Sequence, residues 1–444
     1  MHAPSPGHWI KASAFERRRI LLGLLAAGLL LVGALGVAAG GLRADHPRPL
    51  RGAGVVYTIE ETQAPAESVR FRALDPATLA DRADLDRAFA RETSWAFATD
   101  WAVSADGSTY LGLKYGWDDT AAIASNRPAG TTIVIRDVPT GKERSRFHVD
   151  GQQWLRRLSD DGSRLLLVHR SDVAPAQWSA YATATGRLLA TWSGEELDVG
   201  LPVALDDRRA FFLTATNGPN PLPSAQVVAY DLLSGAEIGR QRLDAVVAGT
   251  WQTARLAGGI PVRERRAPGL ALSPDGHQLA VVDADGTRLT LLDADRVRVE
   301  RSISLARSLS WLDWVPLFPQ RAYAKEGEEA GAFAEAVFSR DGALLYVTSR
   351  SVTIDDHSGA TARGSGLAVV DLERGNVRAE ALASAPVLAV VPSVDGNDLY
   401  AITENQPGHT SYLLLRLDAR SLSEKARQDV TTPQTWIMQT PEES

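Results

Sequence analysis

Residues 269–305 read GLALSPDGHQLAVVDADGTRLTLLDADRVRVERSISL, and this stretch decides the fold. It contains four short runs of aliphatic and β-branched residues, which are separated by turn residues at Pro274–Gly276, Ala284–Gly286 and Asp293–Asp295. Runs of this length that are bounded by Asp-Gly turns are typical of consecutive antiparallel strands. The stretch therefore predicts a four-stranded meander. One meander cannot bury its apolar face alone, so a stable fold requires the pattern to recur.

The turn between the first and second runs does recur along the chain. It reads SADG, SDDG, LDDR, SPDG, SRDG and SVDG, at Ser104–Gly107, Ser159–Gly162, Leu205–Arg208, Ser273–Gly276, Ser339–Gly342 and Ser393–Gly396. A later turn follows most copies, at Pro139–Gly141, Ala184–Gly186, Leu233–Gly235 and Glu373–Gly375. Copies with matched turns but irregular spacing are typical of propeller blades with loops of different length. Because Asp stabilises such turns through its own backbone, we interpret the repeated Asp as structural.

A resemblance to known repeats rests on these residues. The run SPDGHQLAVV at Ser273–Val282, followed by a strand that ends on Asp293, resembles the repeats of bacterial WD-repeat-like and YVTN-type β-propeller proteins. The resemblance covers roughly residues 52–440 and implies the architecture. It implies no single function, since such proteins include scaffolds, sugar- and peptide-binding modules and a minority of enzymes.

The two ends of the repeat region complement each other. Tyr57–Arg82 has the layout of the later strands of a blade but lacks a first strand, whereas Thr435–Thr440 is a lone strand candidate. If the lone strand completes the N-terminal blade, the ring closes and leaves no exposed sheet edge. We therefore predict an all-β fold, a seven-bladed β-propeller of four-stranded antiparallel blades over residues 54–440, with six or eight blades as alternatives and a tail at 441–444.

The N-terminus differs in composition from the rest of the chain. Residues 1–19 are polar and basic, residues 20–42 contain no charged residue, and residues 43–53 form a linker with two prolines. At about 1.5 Å per residue, the uncharged segment is long enough to cross a hydrocarbon core of about 30 Å. We predict one transmembrane helix at 20–42, with 1–19 in the cytoplasm and the propeller on the extracytoplasmic side. The alternative is a signal peptide and a secreted protein.

Composition and motifs exclude several kinds of chemistry. The chain contains no Cys, so disulfides, zinc-thiolate sites and thiol nucleophiles are impossible. Its formal net charge of -7 argues against a nucleic-acid partner. HExxH, GxSxG and the phosphate-binding glycine motifs do not occur. We therefore predict no metal ion, no cofactor and no catalytic triad.

Long connections occur at only two positions of the repeat. Between second and third strands they are Gly116–Gly130, Ser171–Ala176, Thr216–Ser224, Ser351–Gly364 and Glu404–Thr410, and between blades they are Asp244–Pro268 and Ala306–Ala332. In a blade meander both positions emerge on the same side of the disc. We call this side the loop-rich face, and we expect it to carry function because loops on a rigid scaffold often do so.

Two of these connections supply the candidate binding residues. They are three aromatic residues and three polar ones, namely Trp311, Trp314, Phe318, Asp355, Asp356 and His357. An apolar anchor beside a polar rim is typical of recognition patches. The alternatives are an aromatic plug that folds over the ring and a solvated polar loop.

Two functional hypotheses follow. The leading one is a membrane-tethered, non-catalytic scaffold that binds a protein or small ligand on the loop-rich face. The other is an exported lactonase-like hydrolase or lyase acting on a sugar or lactone. The enzyme would need His, Asp or Glu side chains that converge on the central channel, whereas an apolar or Arg-lined surface would favour the binding protein.

Overall fold

The computed structural model describes residues 55–62, 68–90, 101–115, 130–169, 175–193, 197, 201–217, 222–255, 261–305, 330–355, 359–383, 385–404, 412–430 and 437–440. Within these ranges the regular elements are β-strands and one short 3-10 helix, Ala83–Leu85. The all-β prediction is therefore confirmed.

The strands are numbered along the chain. Up to residue 193 they are β1 (Val55–Thr62), β2 (Ser68–Leu74), β3 (Arg87–Ala90), β4 (Trp101–Val103), β5 (Thr109–Tyr115), β6 (Gly130–Asp137), β7 (Glu143–Asp150), β8 (Gln153–Leu158), β9 (Arg164–His169), β10 (Gln177–Ala182) and β11 (Arg187–Ser193). From 203 to 304 they are β12 (Val203–Leu205), β13 (Arg209–Thr216), β14 (Ser224–Asp231), β15 (Glu237–Val247), β16 (Gly249–Arg255), β17 (Pro261–Ala267), β18 (Gly269–Leu272), β19 (Gln278–Val282), β20 (Arg288–Asp293) and β21 (Arg298–Ser304). The others are β22 (Ala330–Phe338), β23 (Leu344–Asp355), β24 (Gly359–Asp371), β25 (Asn376–Ala381), β26 (Val387–Pro392), β27 (Asp398–Glu404), β28 (Tyr412–Asp418), β29 (Glu424–Val430) and β30 (Ile437–Thr440).

These strands form seven sheets in the described part of the chain, and each sheet is one blade. From the inner strand outwards, the four-stranded blades are β30-β1-β2-β3, β4-β5-β6-β7, β8-β9-β10-β11, β12-β13-β14-β15, β18-β19-β20-β21 and β26-β27-β28-β29. Blade six has the order β16-β17-β22-β23-β24-β25. It therefore contains a four-stranded meander, β22 to β25, and two added strands. The predicted seven-bladed propeller is confirmed.

The C-terminal strand closes the ring, as the complementary ends predict. Strand β30 pairs antiparallel with β1, with Val55 opposite Thr440 and Thr58 opposite Ile437. The first blade is thus assembled from both ends of the chain. Pairing β1 in this way removes a sheet edge that would otherwise be open to other strands.

The recurring Asp-Gly turns have the structural role that the sequence predicts. In blade five, Ser273 Oγ donates a hydrogen bond to Asp275 at 2.5 Å and accepts one from the Gln278 amide at 2.9 Å. Gly276 has a φ of 74°, a conformation that glycine adopts without steric cost. Blade four has LDDR at this position, and there the Arg209 side chain donates to the Gly276 carbonyl of blade five at 2.6 Å.

The hydrophobic core lies between neighbouring blades. Phe211, Val227, Leu279 and Val281 belong to one cluster that joins blades four and five, and all four are buried. Burial of such side chains contributes roughly 1.5–3 kcal/mol each. Trp101, Trp154 and Phe338 also pack in clusters of this kind.

The predicted N-terminal segments at 1–19, 20–42 and 43–53 also lie outside the described residues. Among the residues that are described, no helix has the length and hydropathy needed to span a bilayer. The transmembrane anchor therefore stays a prediction.

Candidate functional site

The insertions of the loop-rich face meet in one sheet at blade six. Strands β16 and β17 form an antiparallel hairpin, and β17 pairs in parallel with the start of β22, with Arg265 opposite Gly331 and Ala267 opposite Phe333. Strand β22 continues the sheet to β23, where Phe333 lies opposite Arg350. We call residues 249–255, 261–267, 330–335, 348–355 and 359–366 the added sheet. It extends blade six beyond the length of an ordinary meander.

The Ser351–Gly364 connection was predicted to be a loop, and the structure differs from that prediction. Most of Ser351–Gly364 is strand, because β23 runs to Asp355 and β24 starts at Gly359, and Val352 pairs with Ala362 across the hairpin. The sequence Ser-Val-Thr-Ile-Asp alternates polar and β-branched residues, which favours a strand. The partner strand β22 also extends here, with Gly331 opposite Val352, so pairing on both sides stabilises the extended conformation.

Glycine permits the close approach of the added strands. A Cβ atom on Gly331 would lie 2.5 Å from the carbonyl oxygen of Arg265, so a larger residue would push β17 away from β22. On the other side, a Cβ atom on Gly364 would lie 1.9 Å from the carbonyl oxygen of Ala385, the residue that leads into blade seven. Two strands of the sheet are therefore in close contact at Gly331, and the sheet is in close contact with the segment before blade seven at Gly364.

An ion pair fixes the hairpin to blade five. Arg266 of β17 bonds to Asp285, which lies in the turn between β19 and β20, and its Nε donates to Glu264 at 3.2 Å. The same turn contacts β23, since Ser349 Oγ donates to the Asp285 carbonyl at 3.2 Å. Burial lowers the pKa of Arg266, but Asp285 and Glu264 outweigh this effect and raise it. The turn of blade five therefore contacts both the hairpin and β23.

Two arginines flank one phenylalanine on the added sheet. The guanidinium carbon of Arg350 lies 5.7 Å from the centre of the Phe333 ring, and that of Arg265 lies 6.0 Å from it. Their strands, β23 and β17, lie on either side of β22. A guanidinium over an aromatic face is held by cation–π attraction, which orients the arginine. The three side chains are partly exposed, so the cluster is accessible to a ligand.

One acidic side chain lies beside this cluster on an inner strand. Glu335 follows Phe333 by two residues on β22 and shares its face of the sheet. The side chain is exposed to solvent, although many protein atoms lie around it. Burial raises the pKa of Glu335 above its ordinary value of 4.5, and the positive charge of Arg350 offsets part of that rise.

The inner strands form a mainly apolar surface around the ring. Strand β22 contacts β18 on one side and β26 on the other. Strands β4, β8, β12, β18, β22, β26 and β30 carry mostly aliphatic and aromatic residues, and in these described strands Glu335 is the one acidic residue and no His occurs. In the described ranges, no three His, Asp or Glu side chains lie close enough together to hold a metal ion.

Most of the predicted site residues lie outside the described ranges. These are Trp311, Trp314, Phe318, Asp356 and His357. Asp355 is described as the last residue of β23, where it pairs with Gly359. Assignment of these six residues to a binding surface therefore stays a prediction. The segments that carry them do adjoin, because Ala332 of the first pairs with Ser351 of the second.

Sequence reasoning missed the arginine cluster, although one signal pointed to its hairpin. Residues 250–267 read TWQTARLAGGIPVRERRA, and the Gly-Gly pair between two runs is a hairpin signal. That signal predicts two added strands in Asp244–Pro268. It does not predict their partner, because Arg265 and Gly331 are far apart in the sequence.

The fold defines this protein as a β-propeller. No known protein family and no curated protein matches its sequence. Solved structures with a similar fold include the periplasmic gluconolactonase PpgL of Pseudomonas aeruginosa, which is 13% identical with a TM-score of 0.46 over 87% of this chain and 99% of that one. The β-propeller domain of Cps50 (Swd1) from Myceliophteria thermophila is 13% identical, with a TM-score of 0.41 over 76% of this chain and 87% of that one. BamB from Moraxella catarrhalis is 9% identical, with a TM-score of 0.37 over 84% and 92%. At these identities the likeness is one of fold alone, and membership of the WD-repeat-like or YVTN-type proteins stays a prediction.

Proposed function

We propose that this protein is a membrane-tethered, extracytoplasmic propeller that binds a partner on its loop-rich face and has no catalytic activity. The observation that carries the proposal is the added sheet of blade six. Four strands complete a blade, so the ring does not need β16, β17 or the extensions of β22, β23 and β24. Rigid strands that project from a scaffold hold binding side chains more accurately than loops do.

The surface of the inner strands also supports binding rather than catalysis. Apart from Glu335, its described polar groups are few, and arginine supplies the other charges at Arg156 and Arg157. An apolar, Arg-containing surface is the kind that the binding hypothesis predicts. The proposed tether is supported by the uncharged segment 20–42, and its length matches a single membrane crossing.

Photo-crosslinking in intact cells tests the binding face. A photoreactive residue is placed at Ser351, which is exposed on the added sheet, and in a matched variant at Leu233, which is 64% exposed in a turn at the opposite end of the strands. The proposal predicts a discrete adduct at position 351 and none at 233. Equal labelling at both positions, or none at either, would contradict it.

Protease treatment of intact cells tests the topology. An extracytoplasmic propeller is expected to be cleaved from outside, and the full chain is expected to remain with the membrane after a high-salt wash. A propeller that is protected until the cells are broken would place it in the cytoplasm. A chain released by the wash would contradict the tether.

A second function, that of an exported lactonase-like hydrolase or lyase, is favoured by one observation. Glu335 is a carboxylic acid on an inner strand whose pKa is raised by burial, a property shared by many general acids. The test is turnover of a sugar lactone by the purified full chain and by the Glu335→Gln variant. Turnover that the substitution abolishes would replace the binding proposal, and equal background rates in both would exclude a role for Glu335.

A further inference from the structure

The added sheet is basic although the protein is acidic. Its described positions include six arginines and three acidic residues, namely Arg255, Arg263, Arg265, Arg266, Arg350 and Arg363 against Glu264, Glu335 and Asp355. The whole chain has a formal net charge of -7. A local excess of positive charge on an acidic molecule attracts anionic ligands to that one place.

Phe333 organises two of these arginines into a site. A guanidinium over an aromatic face keeps N–H groups that do not point at the ring, and a pair of them matches the two oxygens of a carboxylate. The guanidinium of Arg350 lies over the ring at 5.7 Å, and its charge also acts on the neighbouring carboxyl group of Glu335. Arg265 lies over the same ring at 6.0 Å, from the other neighbouring strand. The cluster therefore offers more than one guanidinium within reach of a single ligand.

The spacing of the arginines selects the form of the ligand. Arg263 and Arg265 are two residues apart on β17, so they share a face at a spacing of about 6.6 Å. Strands β17 and β23 are two strand positions apart, or about 10 Å. An extended peptide also repeats its side chains on one face at about 6.6 Å, the spacing of Arg263 and Arg265. Acidic residues at alternate positions of such a peptide can therefore engage several arginines together. A small monocarboxylate can engage only one.

We propose that the loop-rich face binds an extended acidic segment of a partner protein, whose carboxylates pair with Arg350, Arg265 and Arg263. This inference rests on the proposed function and gives the partner's chemistry. Recognition proceeds through side chains rather than through backbone addition at the edge strand β16. That edge carries an irregularity between Gln252 and Ala254, and such bulges interrupt the regular bonding that an added strand needs.

The test uses the purified full chain in detergent and a fluorescent peptide of about ten residues that alternates Glu and Thr. A Gln-Thr peptide is the ligand control. Arg350→Gln is expected to weaken binding of the acidic peptide about tenfold or more. Arg374→Gln, in the turn at the opposite end of blade six, removes the same charge and is expected to leave binding unchanged. Binding is also expected to weaken as salt is added.

Three results would overturn the proposal. They are equal binding of the Glu and Gln peptides, equal effects of Arg350→Gln and Arg374→Gln, and displacement of the peptide by glutarate at a concentration no higher than that of the unlabelled peptide, which would make a free dicarboxylate the ligand. If position 351 crosslinks in cells but the acidic peptide does not bind, the partner's chemistry is wrong and the proposed function stands. If both fail, both are wrong.

Discussion

Arg416 of blade seven donates a hydrogen bond to the carbonyl oxygen of Ala77 in blade one, at 2.6 Å. The same guanidinium bonds to Asp398 at 2.6 and 2.9 Å, and the side chain of Asp398 is 8% exposed. Tyr400 adds a bond to the Pro76 carbonyl at 3.1 Å. These contacts join the first and last blades, so they supplement the pairing of β30 with β1 at the closure of the ring.

Replacement of Arg416 should weaken this closure. In Arg416→Met, Asp398 keeps only Lys425 of its two cationic partners, and the Ala77 carbonyl loses its donor. We expect a loss of about 1–3 kcal/mol in the free energy of unfolding, measured by urea denaturation. Arg427→Met removes an exposed pair with Glu424 in the same blade, and because solvent screens that pair we expect a much smaller loss than in Arg416→Met. Equal losses in the two variants would show that the inter-blade contact adds nothing.

Gly331→Ala should loosen the β16–β17 hairpin without opening the ring. The new Cβ would lie 2.5 Å from the Arg265 carbonyl oxygen, and overpacking of this kind costs about 1–3 kcal/mol. Hydrogen exchange is expected to be faster in residues 249–255 and 261–267 and unchanged in the other blades. Gly239→Ala is the matched control, because its Cβ would meet Val297 at an ordinary 3.5 Å. Unchanged exchange in the hairpin would mean that β17 does not depend on close contact with β22.

Glu335→Gln should raise the melting temperature at neutral pH. Burial raises the pKa of Glu335 in the folded protein above its ordinary value of 4.5, so the folded state favours the protonated form. The contribution of protonated Glu335 to the free energy of unfolding is therefore fully present below pH 4.5 and is lost as the pH rises through the folded pKa. We expect the variant to melt higher than wild type at pH 7 and at the same temperature near pH 4. A constant difference across this range would mean that ionisation of Glu335 is not the cause.

His277→Gln should lower stability at acidic pH and leave it unchanged at alkaline pH. His277 Nδ1 lies 2.8 Å from Asp295, and this hydrogen bond, with the negative charge of Asp295, raises the pKa of His277 above 6.5. The contribution is present below about pH 6.5 and is lost as the pH rises through the raised value. Because His277 is well exposed, we expect a small loss of melting temperature at pH 5.5 and none at pH 9. A larger loss at pH 9 would contradict the assignment.

Much of the blade pattern could be predicted from the sequence because its signals are local. A turn such as Ser273–Gly276 is stabilised by bonds within six residues, and the flanking runs carry the apolar pattern of strands. Ring closure was also predictable, because the N-terminal blade lacked one strand and the C-terminus supplied one. The structural role of the Asp-Gly turns was predictable for the same reason, because each Asp side chain bonds within its own turn.

The candidate site was less predictable because its contacts are long-range. The Ser351–Gly364 segment begins with a short alternating run that is compatible with a strand, but several turn-forming residues follow it and nothing local shows which strand would pair with it. It becomes strand because β22 provides a partner from residue 330 onwards. Pairing partners that are distant in sequence leave no local signal.

The sequence by itself determined the repeated meander, its turns and the need for both chain ends in one blade, since each follows from residue types within a few positions. Only the tertiary structure decided that β17 lies parallel to β22 and that Arg265 and Arg350 meet on the ring of Phe333. The physical reason is that a strand edge accepts any strand of suitable geometry. The choice among them depends on packing against Asp285 and on the small size of Gly331, which become neighbours only after the ring has formed.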